Sequence, residues 1–138
     1  MGTLLALDLR DYLTSGLSTS DTVTAGRLAA VPDRQVGVIE TGGLPSTHTM
    51  AAGPGLAQLE WPRVQILSRA PTYPAAVQLA QNVHHLLDGL RPRTINGTPY
   101  EWAEAVQQPF MLEEDANGRV VVACNYQIAK ARSTSTST

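Results

Sequence analysis

The sequence predicts an α+β fold: a mixed, mostly antiparallel sheet with one long amphipathic helix and a short N-terminal helix packed on it. Two patterns and one order point there. Ala76, Leu79, Ala80, Val83, Leu86, Leu87 and Leu90 recur at helical spacing, while Val120, Val122, Cys124, Tyr126 and Ile128 recur at every second position, as on a strand. The chain also reads helix, strand, strand, helix and then several strands, an order that layers helices on a sheet rather than alternating them with parallel strands. With 138 residues, 43% of them hydrophobic, the chain is long enough for one core without a structural metal or disulfides. A single domain over residues 1–132 follows, with the Ser and Thr run at 133–138 read as a disordered tail.

Taken in order, Leu5, Leu9, Tyr12 and Leu13 form the apolar stripe of the first helix, and Gly16 is placed to end it in the left-handed conformation. Val23 to Val31 fits an extended edge and a second short helix equally well. A strand from Asp33 to Glu40 follows Pro32 and runs into Thr41-Gly42-Gly43. From Gly42 towards residue 60 the chain is rich in Gly, Pro and small polar residues, so a long mobile loop is expected that orders on a partner. Trp61 to Arg69 reads as a second strand, with Val64 and Ile66 on a dry face and Arg63, Gln65 and Arg69 on a polar one.

The long helix is expected from Pro74 to Leu90, because proline suits a first turn and Gly89 followed by Pro92 suits an end. Asn96-Gly97 is a strong hairpin signal, with Tyr100 to Val106 continuing as a strand. Phe110-Met111-Leu112 is an apolar run closed by an acidic turn, Glu113-Glu114-Asp115. The last strand is expected to be half buried and to end near Lys130.

Ten Lys and Arg against twelve Asp and Glu leave a net charge of −2, which argues against a protein built to grip phosphate backbones. The lone Cys124 excludes an intramolecular disulfide and a multi-cysteine zinc site. No charged region opens the chain as in a signal peptide, and no stretch reaches the ~20 apolar residues that span a bilayer. His84 and His85 are adjacent, and neighbouring helix residues point about 100° apart, so a solvated helix face is favoured over a ligand pair. Cys124 reads as a small buried thiol rather than a nucleophile, since no base is placed beside it by the sequence. Glu113 to Asn117 lacks the spacing of a calcium loop, and the glycines match neither phosphate-binding signature. No catalytic residue, metal ligand or cofactor is therefore expected. Trp61 and Trp102 are large enough to anchor either a core or a subunit contact.

Pro32-Asp33, Glu60-Trp61-Pro62-Arg63-Val64-Gln65-Ile66 through Arg69, Tyr73, Ala76, Leu86-Leu87-Asp88-Gly89-Leu90 and Pro109 to Asp115 together form a pattern over residues 30–130. This pattern resembles the tail terminator, or minor capsid, proteins of long-tailed, siphovirus-type bacteriophages. The resemblance implies a structural virion protein and not an enzyme. Such a subunit assembles in the host cytoplasm as a homo-oligomeric ring, commonly a hexamer, in the tail and neck region of the virion. The ring stops polymerisation of the tail tube protein and offers a surface to the head-completion or connector protein. DNA passes through it without specific binding, and no membrane is involved. Other readings are a different phage neck or head–tail connector protein, and a small cytosolic ligand-binding domain or enzyme. For the ring, Trp61, Arg63, Gln65 and Arg69, the loop at 42–60 and the turn Glu113, Glu114 and Asp115 are the expected interface residues.

Overall fold

The computed structural model describes residues 5–18, 21–48 and 57–131. Its elements are α1 (Leu5–Gly16), β1 (Thr22–Ala25), β2 (Gln35–His48), β3 (Ala57–Ala70), α2 (Tyr73–Leu87), β4 (Arg93–Ile95), β5 (Thr98–Ala105), β6 (Phe110–Glu114) and β7 (Val120–Ala131). The strands form one sheet in the order β1-β2-β3-β7-β5-β4, with β6 also pairing β7. Only β1 with β2 is a parallel pair, so the sheet is mixed and mostly antiparallel, as expected.

Strand β7 organises the sheet. Along one edge it pairs β3 from Leu59↔Ala131 to Ala70↔Val120. Along the other it takes β6 beside its first residues, up to Ala123, and β5 from Tyr126 to Lys130. The expected half burial is too little: Val121, Ala123, Gln127 and Ala129, on the face away from the core, are buried as well. With both edges occupied, short side chains such as Ala123 and Ala129 lie below the level of their larger cross-strand neighbours.

Both helices contribute to the core on one face of the sheet. Leu5, Leu9 and Leu13 of α1 and Leu79, Val83 and Leu87 of α2 meet Val36, Val38, Val64, Ile66, Tyr126 and Ile128, all buried. Fully burying such side chains is worth about 1.5–3 kcal/mol each before entropy is counted. The helices have 12 and 15 residues, so the expected contrast of a short with a long one is slight. Thr72 caps α2, its Oγ1 accepting from Ala75 N at 3.3 Å, and Pro74 lies in the first turn. The helix ends at Leu87 rather than Leu90, because Gly89 turns the chain at φ 76° and Leu90 bridges Ala103.

Gly16 does not play the expected left-handed role. It remains in α1, and a Cβ there would lie 2.8 Å from Leu86 Cδ1, so its value is the close approach of α1 to α2. Beside it, Tyr12 donates its hydroxyl to Leu86 O at 3.0 Å. Fully buried Asp8 accepts from Tyr100 Oη and from Asn96 Nδ2, and Asn96 also donates to Asp11. Burial and the Asp8 contact push the Tyr100 phenol far above its ordinary pKa. Asn96 (φ 50°) and Gly97 (φ 83°) make the tight turn between β4 and β5 that their dipeptide predicts. Helix α1 is thereby tied to that hairpin.

Residues 42–48 and 57–60, expected in a mobile loop that runs to residue 60, instead continue β2 and open β3, with pairs that include Leu44↔Trp61 and Thr47↔Leu59; residues 49–56 lie outside the described residues, as do 133–138. Local composition opposes a strand here, but pairing with β3 supplies the main-chain partners that propensity alone does not. The register shifts between Glu40 and Gly43, and Gly43 takes φ 144°. A Cβ on Gly43 would press on the Trp61 carbonyl oxygen and lie 2.7 Å from Pro62 Cα. Of the stretch at 23–31, only its start is an edge strand, within β1, and 26–31 form neither strand nor helix.

Gly43→Ala is expected to cost about 1–3 kcal/mol from backbone strain and crowding, measured by urea unfolding; an unchanged midpoint would mean that the backbone yields freely there. Asp8→Ala and Tyr100→Phe are each expected to lower stability by about 1–3 kcal/mol. Their double variant should cost less than the sum of the two single losses, a non-additivity that a double-mutant cycle measures.

Candidate interaction surface

Pairing register decides which side chains share a face. On β3, Val64 and Ile66 point to the helices, and Arg63, Gln65 and Arg69 alternate onto the other face. That helix-free face also carries Trp61, whose ring meets the edge of Trp102 at a centroid distance of 5.8 Å and an angle of 60°. Both tryptophans are half buried. Arg63 is exposed, but its Nε donates to Gln127 Oε1 at 2.7 Å, and Gln127 in turn donates to Trp61 O at 2.8 Å. Trp61, Arg63, Gln65 and Trp102 thus form one partly open patch.

Arg69 does not join it. Its side chain is buried, and it donates to Asp33 O at 2.9 Å, Ala29 O at 2.7 Å and Pro32 O at 2.6 Å. Burial, with the Arg119 charge nearby, pulls its guanidinium below the usual arginine pKa. Gln35, directly across from Arg69 on β2, accepts from Ala29 N and donates to Pro32 O. The pair satisfies the backbone of the 29–33 segment. The alternation that marks Arg69 as polar says nothing of the loop that folds over it.

Asp115 is also committed within the chain. Its Oδ1 accepts from Asn117 N and Arg119 N, and its Oδ2 from Arg119 Nε at 2.7 Å. Burial works against its charge, but the Arg119 backbone and side chain and the Asn117 N–H outweigh it and hold the carboxyl below the ordinary carboxylate pKa. Arg119 reaches on to Ala30 O at 2.6 Å, so Arg69 and Asp115 converge on one internal tie. Glu113 and Glu114, by contrast, are exposed on β6.

What sequence reasoning missed is the rest of β6. Phe110, Met111 and Leu112 read only as an apolar run closed by an acidic turn, whereas the run and Glu113 and Glu114 together form a strand in which every residue is exposed. The acidic pair that ends the run is the one signal against a core strand. His84 departs from its expected solvated position: its Nδ1 lies 3.2 Å from Tyr126 Oη and its Nε2 3.5 Å from Asp88 Oδ2, while His85 is exposed. Cys124 is buried, donates to Gln107 O at 3.2 Å, and has its thiol pKa raised first by that burial, which disfavours the thiolate. Among the described residues, no three His, Cys, Asp or Glu side chains are grouped to hold a metal ion, and no helix is long and apolar enough to cross a membrane.

A two-layer α+β subunit with an apolar strand open at its border is the class that this geometry defines. The bacteriophage tail terminator family model matches residues 6–132, and the chain belongs to that family. It is a structural protein of the phage tail. A search of curated proteins finds no match.

Arg69→Ala is expected to lower the unfolding free energy by about 2 kcal/mol or more, because three carbonyls lose a charged donor; Arg63→Ala, on the open patch, should stay within about 0.5 kcal/mol of wild type. Chemical denaturation checks both. Because its folded pKa is depressed, Asp115 contributes stability that is present above its unfolded pKa and is lost as pH falls through the folded value. The stability gap between wild type and Asp115→Asn should therefore narrow as pH drops below about 3.9, which denaturation at a series of pH values would reveal.

Proposed function

We propose that this subunit closes into a ring, a hexamer, on the end of the tail tube, where it halts polymerisation of the tube protein and presents the surface that joins the head. The observation that carries this reading is the family match over residues 6–132. Two features of the chain support it. Its helices cover one face of the sheet and leave a patch with Trp61, Trp102, Arg63 and Gln65 on the other. Its edge strand β6 offers Phe110, Met111, Leu112, Glu113 and Glu114 outward.

A cyclic assembly uses two different faces of each subunit, and closure sets the copy number. In this reading the patch around Trp61, Arg63 and Gln65, the paired arm of β2 and β3, and Glu113 with Glu114 supply the contacts to neighbours and to the tube. Arg69 and Asp115 act behind them by fixing the 29–33 segment and the turn after β6. Head-completion or connector proteins meet the opposite side of the ring. With a net charge of −2, the subunit offers DNA little to hold as it passes through. Assembly takes place in the host cytoplasm, and the product resides in the tail and neck of the virion.

Particles made without this protein should show overlong tails lacking heads under negative-stain microscopy; tails of normal length would exclude a terminating role. Arg63→Ala should shift sedimentation of the purified protein towards monomer by roughly tenfold in the midpoint concentration, and unchanged assembly would remove that residue from the contact.

A further inference from the structure

The border of the sheet formed by β6 is open and apolar. Phe110, Met111 and Leu112 are 36%, 49% and 44% exposed, and among the described residues β6 pairs only β7. Natural edge strands are usually protected by charge, proline or a covering element, and an apolar one is a template for another strand. Its charge then restricts the partner. Glu113 and Glu114 are exposed on the same strand, so joining β6 to β6 of another copy would line four carboxylates along one seam.

The border formed by β4 has the opposite sign. Arg91 and Arg93 are exposed, and among the described residues β4 pairs only β5. The Arg93 guanidinium is held 4.9 Å from the centre of the Tyr12 ring, which fixes its position. Two shallow grooves adjoin it. One, of about 270 Å³, is lined by Tyr12, Leu86, Leu90, Arg91 and Arg93 together with Asp88; the other, of about 410 Å³, by Tyr12, Arg93, Ile95 and Asn96 together with Asp11. Two guanidinium groups stand beside Tyr12, Leu86 and Leu90 in a largely polar setting at β4, and two carboxylates stand beside Phe110, Met111 and Leu112 on β6.

We infer that β6 of one subunit docks along β4 of a second copy, with Phe110, Met111 and Leu112 entering the grooves beside Arg93 and Glu113 and Glu114 facing Arg91 and Arg93. Where β6 meets one neighbour and β4 another, the contact is head to tail, and repetition of it propagates or closes a ring, whereas β6 and β4 engaging the same neighbour would close a two-fold dimer. It rests on the ring reading proposed above, and it specifies which borders meet.

Sedimentation velocity on the full chain tests it with paired charge reversals. Glu113→Arg with Glu114→Arg should raise the midpoint concentration for assembly by at least tenfold, and Arg91→Glu with Arg93→Glu should do the same. An equimolar mixture of the two variants should recover assembly, because every seam of an alternating array is then charge-matched, and the chain carrying all four substitutions should recover it as well; a mixture that stays as dispersed as either variant alone overturns the pairing. Circular dichroism confirms that each variant is folded. In a second measurement, the chain carrying both Glu113→Cys and Thr94→Cys should oxidise to a ladder of linked subunits, while Glu113→Cys alone should remain unlinked. A wild-type ring indifferent to both reversals overturns this pairing and leaves the ring reading standing, as do reversals that block only binding to tail tube protein. Dimers from Glu113→Cys alone overturn it in favour of a symmetric seam. A wild-type chain that stays monomeric at every concentration, with or without tail tube protein, overturns both readings.

Discussion

Strand β7 has to be paired on both edges, and the rest of the molecule is arranged around that requirement. One edge is served by β3 over its whole length, but the other is divided between β6 and β5. Dividing the edge brings two short strands side by side along a single long one, and each keeps its outer border. The inner border of each is satisfied by β7, while β4 and the Leu90 bridge continue the sheet only beside β5. Beside β6 nothing follows among the described residues, so the most apolar border of the sheet is left outward. The exposed run at Phe110–Leu112 is thus a product of how β7 is shared.

A second organising feature is polar. The 29–33 segment has no regular structure of its own, and its carbonyls are met by Arg69, Gln35 and Arg119 from three different strands or turns. Long guanidinium groups suit this task because one planar fork reaches several acceptors at once. Two residues that look like surface charge along the chain are consumed here, Arg69 by donating to these carbonyls and Asp115 by accepting from Arg119, which reaches Ala30 O. Arg63, two residues from Gln65 on the same face, keeps an exposed side chain because the element above it is a glutamine from β7 and not a loop.

Much of this architecture was legible in the residues. The stripe from Ala76 to Leu87, the alternation from Val120 to Ile128 and the Asn96-Gly97 turn each carry a local period or a local backbone demand, and each appears where that demand places it. The outer part of β2 was not legible, since Gly42 to His48 becomes a strand only through pairing with β3. Nor was β1, whose partner lies parallel to it in β2. Burial of Arg69, the tie of His84 to Tyr126 and the exposure of Phe110 all depend on which distant segment lies above a given side chain. Periodicity holds no record of that. Of the surface residues singled out in advance, Trp61, Arg63, Gln65, Glu113 and Glu114 keep at least part of their side chains accessible, whereas Arg69 does not.

The way Arg69 is held has a consequence for solution behaviour. Arg69 donates to neutral carbonyl oxygens in a buried setting, and buried contacts of this kind are only weakly screened by dissolved ions. Exposed carboxylates and guanidinium groups such as Glu113, Glu114 and Arg91 sit in water, where the Debye length is about 8 Å at physiological ionic strength. Added salt therefore acts unequally on the two kinds of arginine: the one that secures the subunit's interior is largely insensitive to it, and those on the rim answer to every change in buffer.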